Sequence, residues 1–501
     1  MQLSVATVLQ ESAARHPDRI AVVDGDVRVS YRTLWHEALR FAARLRAHGI
    51  GPGDRVALML PNTVDFPRAY YAVLAAGGTV VPVHALLVAD EVVHVLEHSG
   101  CRAIVTAEPY GTVARAAAET AGIEVLEIAV GDSSDGDGVD GHPTAAEPRD
   151  ADDTAVILYT SGTTGRPKGA LLTHANLVMN ASVCAQDLFA LTPDDVVLGC
   201  LPLFHSFGQS CAMNAALRAG STLVLCPRFT GPGALELMVR EGVTVFMGVP
   251  TMYHALVEAA AHDGRRPALR MAVSGGAALP VALFERFETT FATMLLEGYG
   301  LTETSPAATF NQPAFGRRPG TVGHPIWGVE AGIADAETDD RTVLLPDGEV
   351  GEVVLRGHNI FAGYLDDPAA TAAAVVDGWF RTGDLGVRDA DGRLSIIDRK
   401  KDLIIRGGFN VYPREVEEVL ARHPAIAQVS VIGLPDEERG EEVCAAVVLR
   451  PDAADSGEDI VAWARERLGR HKYPRVVRLL SELPLGPSGK ILKRELQKEC
   501  G

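Results

Sequence analysis

Cysteine is scarce in this chain and never paired in sequence. Cys101, Cys184, Cys200, Cys211, Cys226, Cys444 and Cys500 form no C-x-x-C, and no Cys/His cluster has zinc spacing. That excludes a zinc ribbon and points to free thiols in a reducing compartment. Positive charge is short too: 46 Lys and Arg stand against 65 Asp and Glu, a formal net charge of −19. A nucleic acid or an acidic membrane is therefore excluded as the main partner. No stretch approaches the roughly 20 apolar residues of a membrane span. The N-terminus lacks a basic segment followed by an apolar core, and internal repeats are absent. These absences lead us to expect a cytoplasmic protein with no transmembrane segment.

What is present is ample apolar material. The 501 residues are 47% hydrophobic, enough for two or more domains with substantial cores. In "SYRTLWHEALRFAARLRAHGI" the residues Leu34, Ala38, Leu39, Ala42 and Leu45 fall at helical spacing, ending at Gly49. "DRVALMLP" reads as a buried strand, "FPRAYYAVLAAGG" as a helix and "TVVPV" as another strand. This β-α-β rhythm predicts α/β layers.

Residues 131–153 are acidic, small and poor in apolar side chains, and read as a linker. Within them Gly136-x-Gly138-x-x-Gly141 has the spacing of a dinucleotide fingerprint. No strand leads into it and no apolar helix follows, so the spacing carries no function. Alternation resumes at Thr154 and continues to about Asp398. From residue 399 the pattern is that of a smaller α+β unit. There Pro413 opens a helix with Val416, Val419 and Leu420 on one face, followed by strands "QVSVIGL" and "CAAVVL".

Between two strand patterns, "TAVILYT" and "GALLTH", lies Ser161-Gly162-Thr163-Thr164-Gly165-Arg166-Pro167-Lys168-Gly169. Glycines let backbone N–H groups turn toward an anion, hydroxyls add donors and Lys168 adds charge. The spacing is not that of a Walker A loop. Composition alone leaves a phosphate cradle and a plain flexible hairpin about equally open.

"YTSGTTGRPKG" resembles the phosphate loop of the adenylate-forming superfamily, which includes acyl-CoA synthetases, aryl-CoA ligases, luciferase and peptide-synthetase adenylation domains. Further matches follow in the family's order: "LPLFHSFG" (201–208), "VSGGAAL" (273–279), "EGYGLTET" (297–304), "GWFRTGDLG" (378–386), "DRKKDLIIRGGFNVYPREVE" (398–417) and "GPSGKILKREL" (486–496). The resemblance spans essentially the whole chain and is nearest to fatty-acyl-CoA and aryl-CoA ligases. It implies an α/β fold with a large N-terminal domain of layered α/β subdomains (1–398). A small, mobile α+β C-terminal domain (399–501) carries the hinge and the catalytic lysine.

The implied reaction uses ATP, Mg²⁺ and coenzyme A. A carboxylic acid is converted to an acyl-adenylate and then to a CoA thioester, releasing AMP and pyrophosphate. The resemblance assigns roles residue by residue. Thr160, Ser161, Gly162, Thr163, Thr164, Gly165 and Lys168 would hold the outer phosphates. Glu303 would bind Mg²⁺, a hard cation suited to carboxylate oxygens, and Thr302 would contact the α-phosphate. Tyr299 would stack on adenine, with Gly275, Gly276 and Ala277 passing its face. Asp384 would accept from the ribose hydroxyls, and Arg399 would contact ribose or phosphate. Lys490 would bridge the attacking carboxylate and the α-phosphate. His205 would shape the carboxylate end of the acyl pocket. It is not a general base, since a carboxylic acid is already ionised at pH 7. Gly407 and Gly408 would line the pantetheine path, and Lys401 falls at the hinge about which the small domain turns between half-reactions.

Segments 204–213, 246–252 and 298–304 form the expected acyl pocket. They contain no Arg or Lys to pair with a second carboxylate, so an apolar monocarboxylic acid is expected, fatty or bulky aromatic or alicyclic. Neither an aspartate nor another acid stands near "FHSFG" to hold an amino group. The rival readings are an enzyme restricted to one half-reaction and a non-catalytic nucleotide-binding protein. A homodimer is compatible with the class.

Overall fold

The computed structural model describes residues 2–84, 86–127, 145–160, 167–451, 453–486 and 489–501. The Gly136, Gly138 and Gly141 spacing lies outside the described residues, as do Ser161, Gly162, Thr163, Thr164 and Gly165 of the phosphate loop. Among the described residues the strands form four sheets. No described helix is long and apolar enough to cross a membrane.

The largest sheet contains six strands in parallel: Ile20–Asp24, Thr222–Leu225, Val196–Gly199, Val245–Gly248, Met271–Ser274 and Met294–Gly300. Several are continuous apolar runs, as strands covered on both faces must be. Antiparallel strands close its two edges. A second sheet has the parallel strands Arg55–Met59, Thr79–Pro82, Ala103–Thr106 and Glu124–Glu127, with Thr154–Thr160 alongside. Thr154–Thr160 and Lys168–Thr173 pair antiparallel, so the phosphate-loop sequence spans a hairpin connection. The helix Tyr31–Ala47 covers part of this core. Ser30 caps it by accepting from the Thr33 N–H at 3.1 Å, and Leu34, Ala38, Leu39, Ala42 and Leu45 are all buried, following the sequence spacing.

The third sheet is antiparallel and comprises Val329–Ala334, Val350–Gly357, Val375–Val376, Trp379–Arg388 and Leu394–Arg399. The fourth belongs to the smaller C-terminal domain. Ile404–Arg406, Phe409–Val411, Ile426–Asp436 and Gly440–Leu449 pair antiparallel, and Val476–Leu479 joins in parallel. Pro413 opens the helix Pro413–Leu420, which buries Val416 and Leu420 against this sheet. The crossing from third to fourth sheet is short: one strand ends at Arg399, a 3₁₀ turn covers Lys400–Asp402, and the next strand begins at Ile404.

Polar contacts join the two domains at several points. Lys400 Nζ lies 3.0 Å from Asp339. The Val281 N–H donates to Glu418 at 3.4 Å. Arg450 reaches Glu258 at 3.9 Å.

Candidate active site

In a parallel sheet, ligands bind beyond the carboxyl ends of the strands, where the loops are free to turn. Three neighbouring strands of the large sheet end in the segments that the sequence marked. Val245–Gly248 runs into Val249, Pro250 and Thr251. Met271–Ser274 runs into Gly275, Gly276 and Ala277. Met294–Gly300 delivers Tyr299 and then the 3₁₀ turn with Thr302 and Glu303. Gly276 sits at φ +79°, a left-handed conformation natural to glycine. Gly275 is buried against Phe207: a methyl placed on it would lie 3.2 Å from the Phe207 ring. Ala277 is exposed.

Lys490 enters from the small domain. A methyl on Gly276 would lie 3.3 Å from Lys490 Cε and 3.9 Å from its Nζ, so the lysine stem lies along the Gly276 backbone. Burial and the Arg399 guanidinium push its pKa down to about 8, against the opposing pull of Asp384 and Glu303. One ammonium thus shares its electrostatic surroundings with two carboxylates and a guanidinium drawn from distant parts of the chain.

Asp384 is buried in the strand Trp379–Arg388 of the third sheet, at an irregularity in its pairing. Its carboxylate accepts from the Tyr299 hydroxyl at 2.6 Å and faces Arg399 Nε at 3.3 Å. Burial raises its pKa despite these two partners. Tyr299 and Asp384, assigned to adenine and ribose, are therefore bonded to each other here. Beneath them lies an ion pair that sequence reasoning missed. Arg381 donates through Nε to Glu352 at 3.0 Å, and the same carboxylate accepts from the Gly383 N–H at 2.9 Å, pinning the irregular stretch of strand that presents Asp384. Both side chains are 5% exposed, so a pair this well bonded fixes geometry rather than tuning charge.

Glu303 is also buried. Its Oε1 accepts from the Tyr364 hydroxyl at 2.9 Å. Tyr364 was missed too, because nothing in "FAGYLDDP" marks it. The same ring lies under Lys168 Nζ, 5.3 Å from its centroid, and Lys168 pairs with Asp367 at 3.2 Å. Lys168 and Glu303 are thus linked through one tyrosine. Thr302 and Thr160 are half-buried. Among the described residues no three His, Cys, Asp or Glu side chains form a metal cage. A lone carboxylate with one oxygen engaged by Tyr364 fits Mg²⁺, which usually takes one or two carboxylates and completes its shell with phosphate oxygens and water.

His205 lies beside Lys490, and burial, Lys490 and His84 push its pKa down to about 3. The ring is neutral at pH 7. Its Nδ1 accepts from the Phe207 N–H at 3.3 Å, which leaves Nε2 carrying the proton. Leu201, Pro202, His205, Phe207, Val249, Gly276 and Lys490 enclose about 10 Å³, room for about one water molecule. An acid seated there must displace the Phe207 ring or the lysine stem.

The remaining sequence candidates stand apart. Gly407 and Gly408 form the exposed turn between Ile404–Arg406 and Phe409–Val411, at φ +58° and +81°, with open space where a side chain would project. Lys401 sits in the interdomain turn, its pKa lowered by partial burial and by Arg399.

The family model for AMP-binding enzymes matches residues 9–365, and that for the AMP-binding enzyme C-terminal domain matches residues 415–490. A long-chain-fatty-acid–CoA ligase of Bacillus subtilis (strain 168) is 35% identical, with 99% of this chain and 94% of the relative covered. A feruloyl-CoA synthase of Amycolatopsis sp is 36% identical, with 98% and 97% covered. The crystal structure of ATP-bound MatB from Rhodopseudomonas palustris superposes with a TM-score of 0.89 at 33% identity, covering 100% of this chain and 99% of that one.

Proposed function

The chain belongs to the AMP-binding enzyme family, and from that premise we propose how its residues divide the work of an ATP-dependent, AMP-forming CoA ligase. The enzyme activates a carboxylic acid with ATP and passes the acyl group to coenzyme A. The acid we assign is apolar and monocarboxylic, because the expected acyl pocket carries no cation for a second carboxylate. The names of the two relatives, a long-chain-fatty-acid–CoA ligase and a feruloyl-CoA synthase, support that choice.

In the first half-reaction the acid's carboxylate attacks the α-phosphate and pyrophosphate leaves. Negative charge gathers between two anions, so the site must supply preorganised positive charge. Lys490 supplies it, and the observation that carries this reading is its stem lying on Gly276 within the field of Glu303 and Asp384. The neutral His205 donates from Nε2 to the acid's carboxylate. Thr302 donates to the α-phosphate. Asp384 accepts from the ribose hydroxyls with Arg399 beside it, and Tyr299 packs on adenine. Lys168, Thr160 and the loop residues 161–165 hold the outer phosphates. Mg²⁺, held by Glu303, would neutralise phosphate charge. In the second half-reaction the small domain, residues 399–501, turns about Lys401. Gly407 and Gly408 then line the thiol's approach.

The test is product identity across a panel of acids with ATP, Mg²⁺ and coenzyme A. The reading expects AMP, pyrophosphate and an acyl-CoA in equal amounts, with apolar monocarboxylic acids preferred. Release of ADP, or preference for an α-amino or dicarboxylic acid, would contradict it.

A further inference from the structure

Lys490 can act only if the loop that carries it is held in register with the large domain. That loop is closed on itself: the Gly486 N–H donates to the Lys490 carbonyl at 2.7 Å, and the Gly489 N–H to the Gly486 carbonyl at 2.9 Å. What Gly489 and Lys490 dock against decides where the lysine sits. The seat is the start of the helix Pro250–His262. There Thr251 Oγ1 donates to the Gly489 carbonyl at 3.2 Å, a bond between residues 238 positions apart that spans the two domains. Gly489 itself is pressed onto the same corner. A methyl on it would lie 2.9 Å from Val249 Cγ2 and 3.2 Å from Thr251 Oγ1, and its φ of +77° favours glycine.

Val249 continues the same surface. It lines the small cavity with His205, Phe207, Gly276 and Lys490. Val249 and Thr251 therefore hold Gly489 from one side while Gly276 holds the lysine stem from the other. The only hydrogen bond recorded from the large domain to this loop, among the described residues, is that of Thr251.

We propose that Thr251 is a positioning residue for adenylation: by holding the Gly489 carbonyl it sets the reach of Lys490, and it takes no part once the acyl-adenylate has formed. This rests on the reading of Lys490 as the adenylation lysine. Turning the small domain breaks the Thr251 bond together with the lysine's seat, so the same contact limits how long the adenylation pose lasts.

The test measures the two half-reactions separately, as pyrophosphate exchange with ATP and acid, and as CoA thioester formation from a supplied acyl-adenylate. Thr251→Val keeps the shape and removes the donor. It should lower the kcat of adenylation roughly three- to tenfold, the effect of one lost neutral hydrogen bond, with KM for ATP unchanged. Thioester formation should stay at the wild-type rate, and Thr251→Ser should restore adenylation. Gly489→Ala, which pushes the loop off Val249, should show the same one-sided loss by an independent route. Equal slowing of both half-reactions, failure of serine to rescue, or full adenylation in Thr251→Val would overturn the proposal. Lys490→Ala assayed alongside tells the two readings apart. If it loses adenylation while Thr251→Val does not, the dock alone is wrong. If it keeps adenylation, the lysine assignment fails and takes the dock with it.

Discussion

Two glycine-bearing loops of the small domain sit in opposite surroundings. The Gly489–Lys490 loop is packed onto the large domain, where added methyls would collide with Val249 or meet the lysine stem. The Gly407–Gly408 turn projects into solvent, and nothing lies within 4 Å of where its side chains would be. Both match family motifs, and sequence gives them equal standing. Their environments do not. The packed loop holds Lys490 within the field of Glu303 and Asp384. The exposed turn has nothing to do in this arrangement. The proposed division into two poses assigns each loop its own half-reaction.

The comparison is broken most sharply by changing one loop at a time. Lys490→Ala should slow adenylation about 10²–10³-fold, the usual cost of one preorganised charge-stabilising donor, and leave thioester formation from supplied acyl-adenylate intact. Pyrophosphate exchange and CoA-thioester assays on the same preparation decide this. Equal losses in both would mean that the lysine is not confined to one pose.

Gly408→Leu is the mirror experiment. The turn has room for the side chain here, and the cost of positive φ for leucine is about 1–2 kcal/mol. Adenylation should survive within a few-fold, while thioester formation falls by at least about tenfold as the side chain meets the incoming thiol. Steady-state CoA kinetics measure it, and an unaffected thioester rate would remove the turn from the thiol path.

A smaller effect comes from pH. Lys490 titrates near pH 8 because burial and Arg399 disfavour its charged form. The charged form dominates below that pH and is lost as pH rises through it. The kcat/KM for adenylation, which reports the free enzyme, should therefore fall by roughly tenfold per unit above about pH 8. Thioester formation should show no such alkaline fall, since the thiolate fraction of coenzyme A grows with pH. An adenylation profile flat to pH 10 would mean that Lys490 is solvated in the working enzyme.

Much of this arrangement is legible in the sequence, and the remainder fails for a definite reason. The helix Tyr31–Ala47, the strands Arg55–Met59 and Thr79–Pro82 and the helix opened by Pro413 fall where periodicity and capping put them, because those signals are local. Seven motifs in family order name the site's segments, and Lys490, Gly276, Asp384 and Glu303 do come together. What sequence does not reveal is who touches whom. Thr251 bonding Gly489, Tyr364 bonding Glu303 and Glu352 pairing with Arg381 each join segments with no shared pattern. Two π-helical stretches, Cys184–Leu188 and Phe207–Asn214, also escape periodicity, since they break the 3.6-residue repeat that would announce them. The second begins at Phe207, which lines the small cavity beside Lys490.

Holding the small domain still tests the two-pose account most directly. Glu258 and Arg450 face each other across the domain boundary at 3.9 Å, and all seven native cysteines are buried. Glu258→Cys and Arg450→Cys, joined by a short bifunctional thiol reagent, would lock the pose described here. The locked enzyme should still exchange pyrophosphate with ATP and acid, and should fail to make acyl-CoA from a supplied acyl-adenylate, while the unlinked double variant does both. Acyl-CoA formation at the unlinked rate with the domains joined would contradict the account.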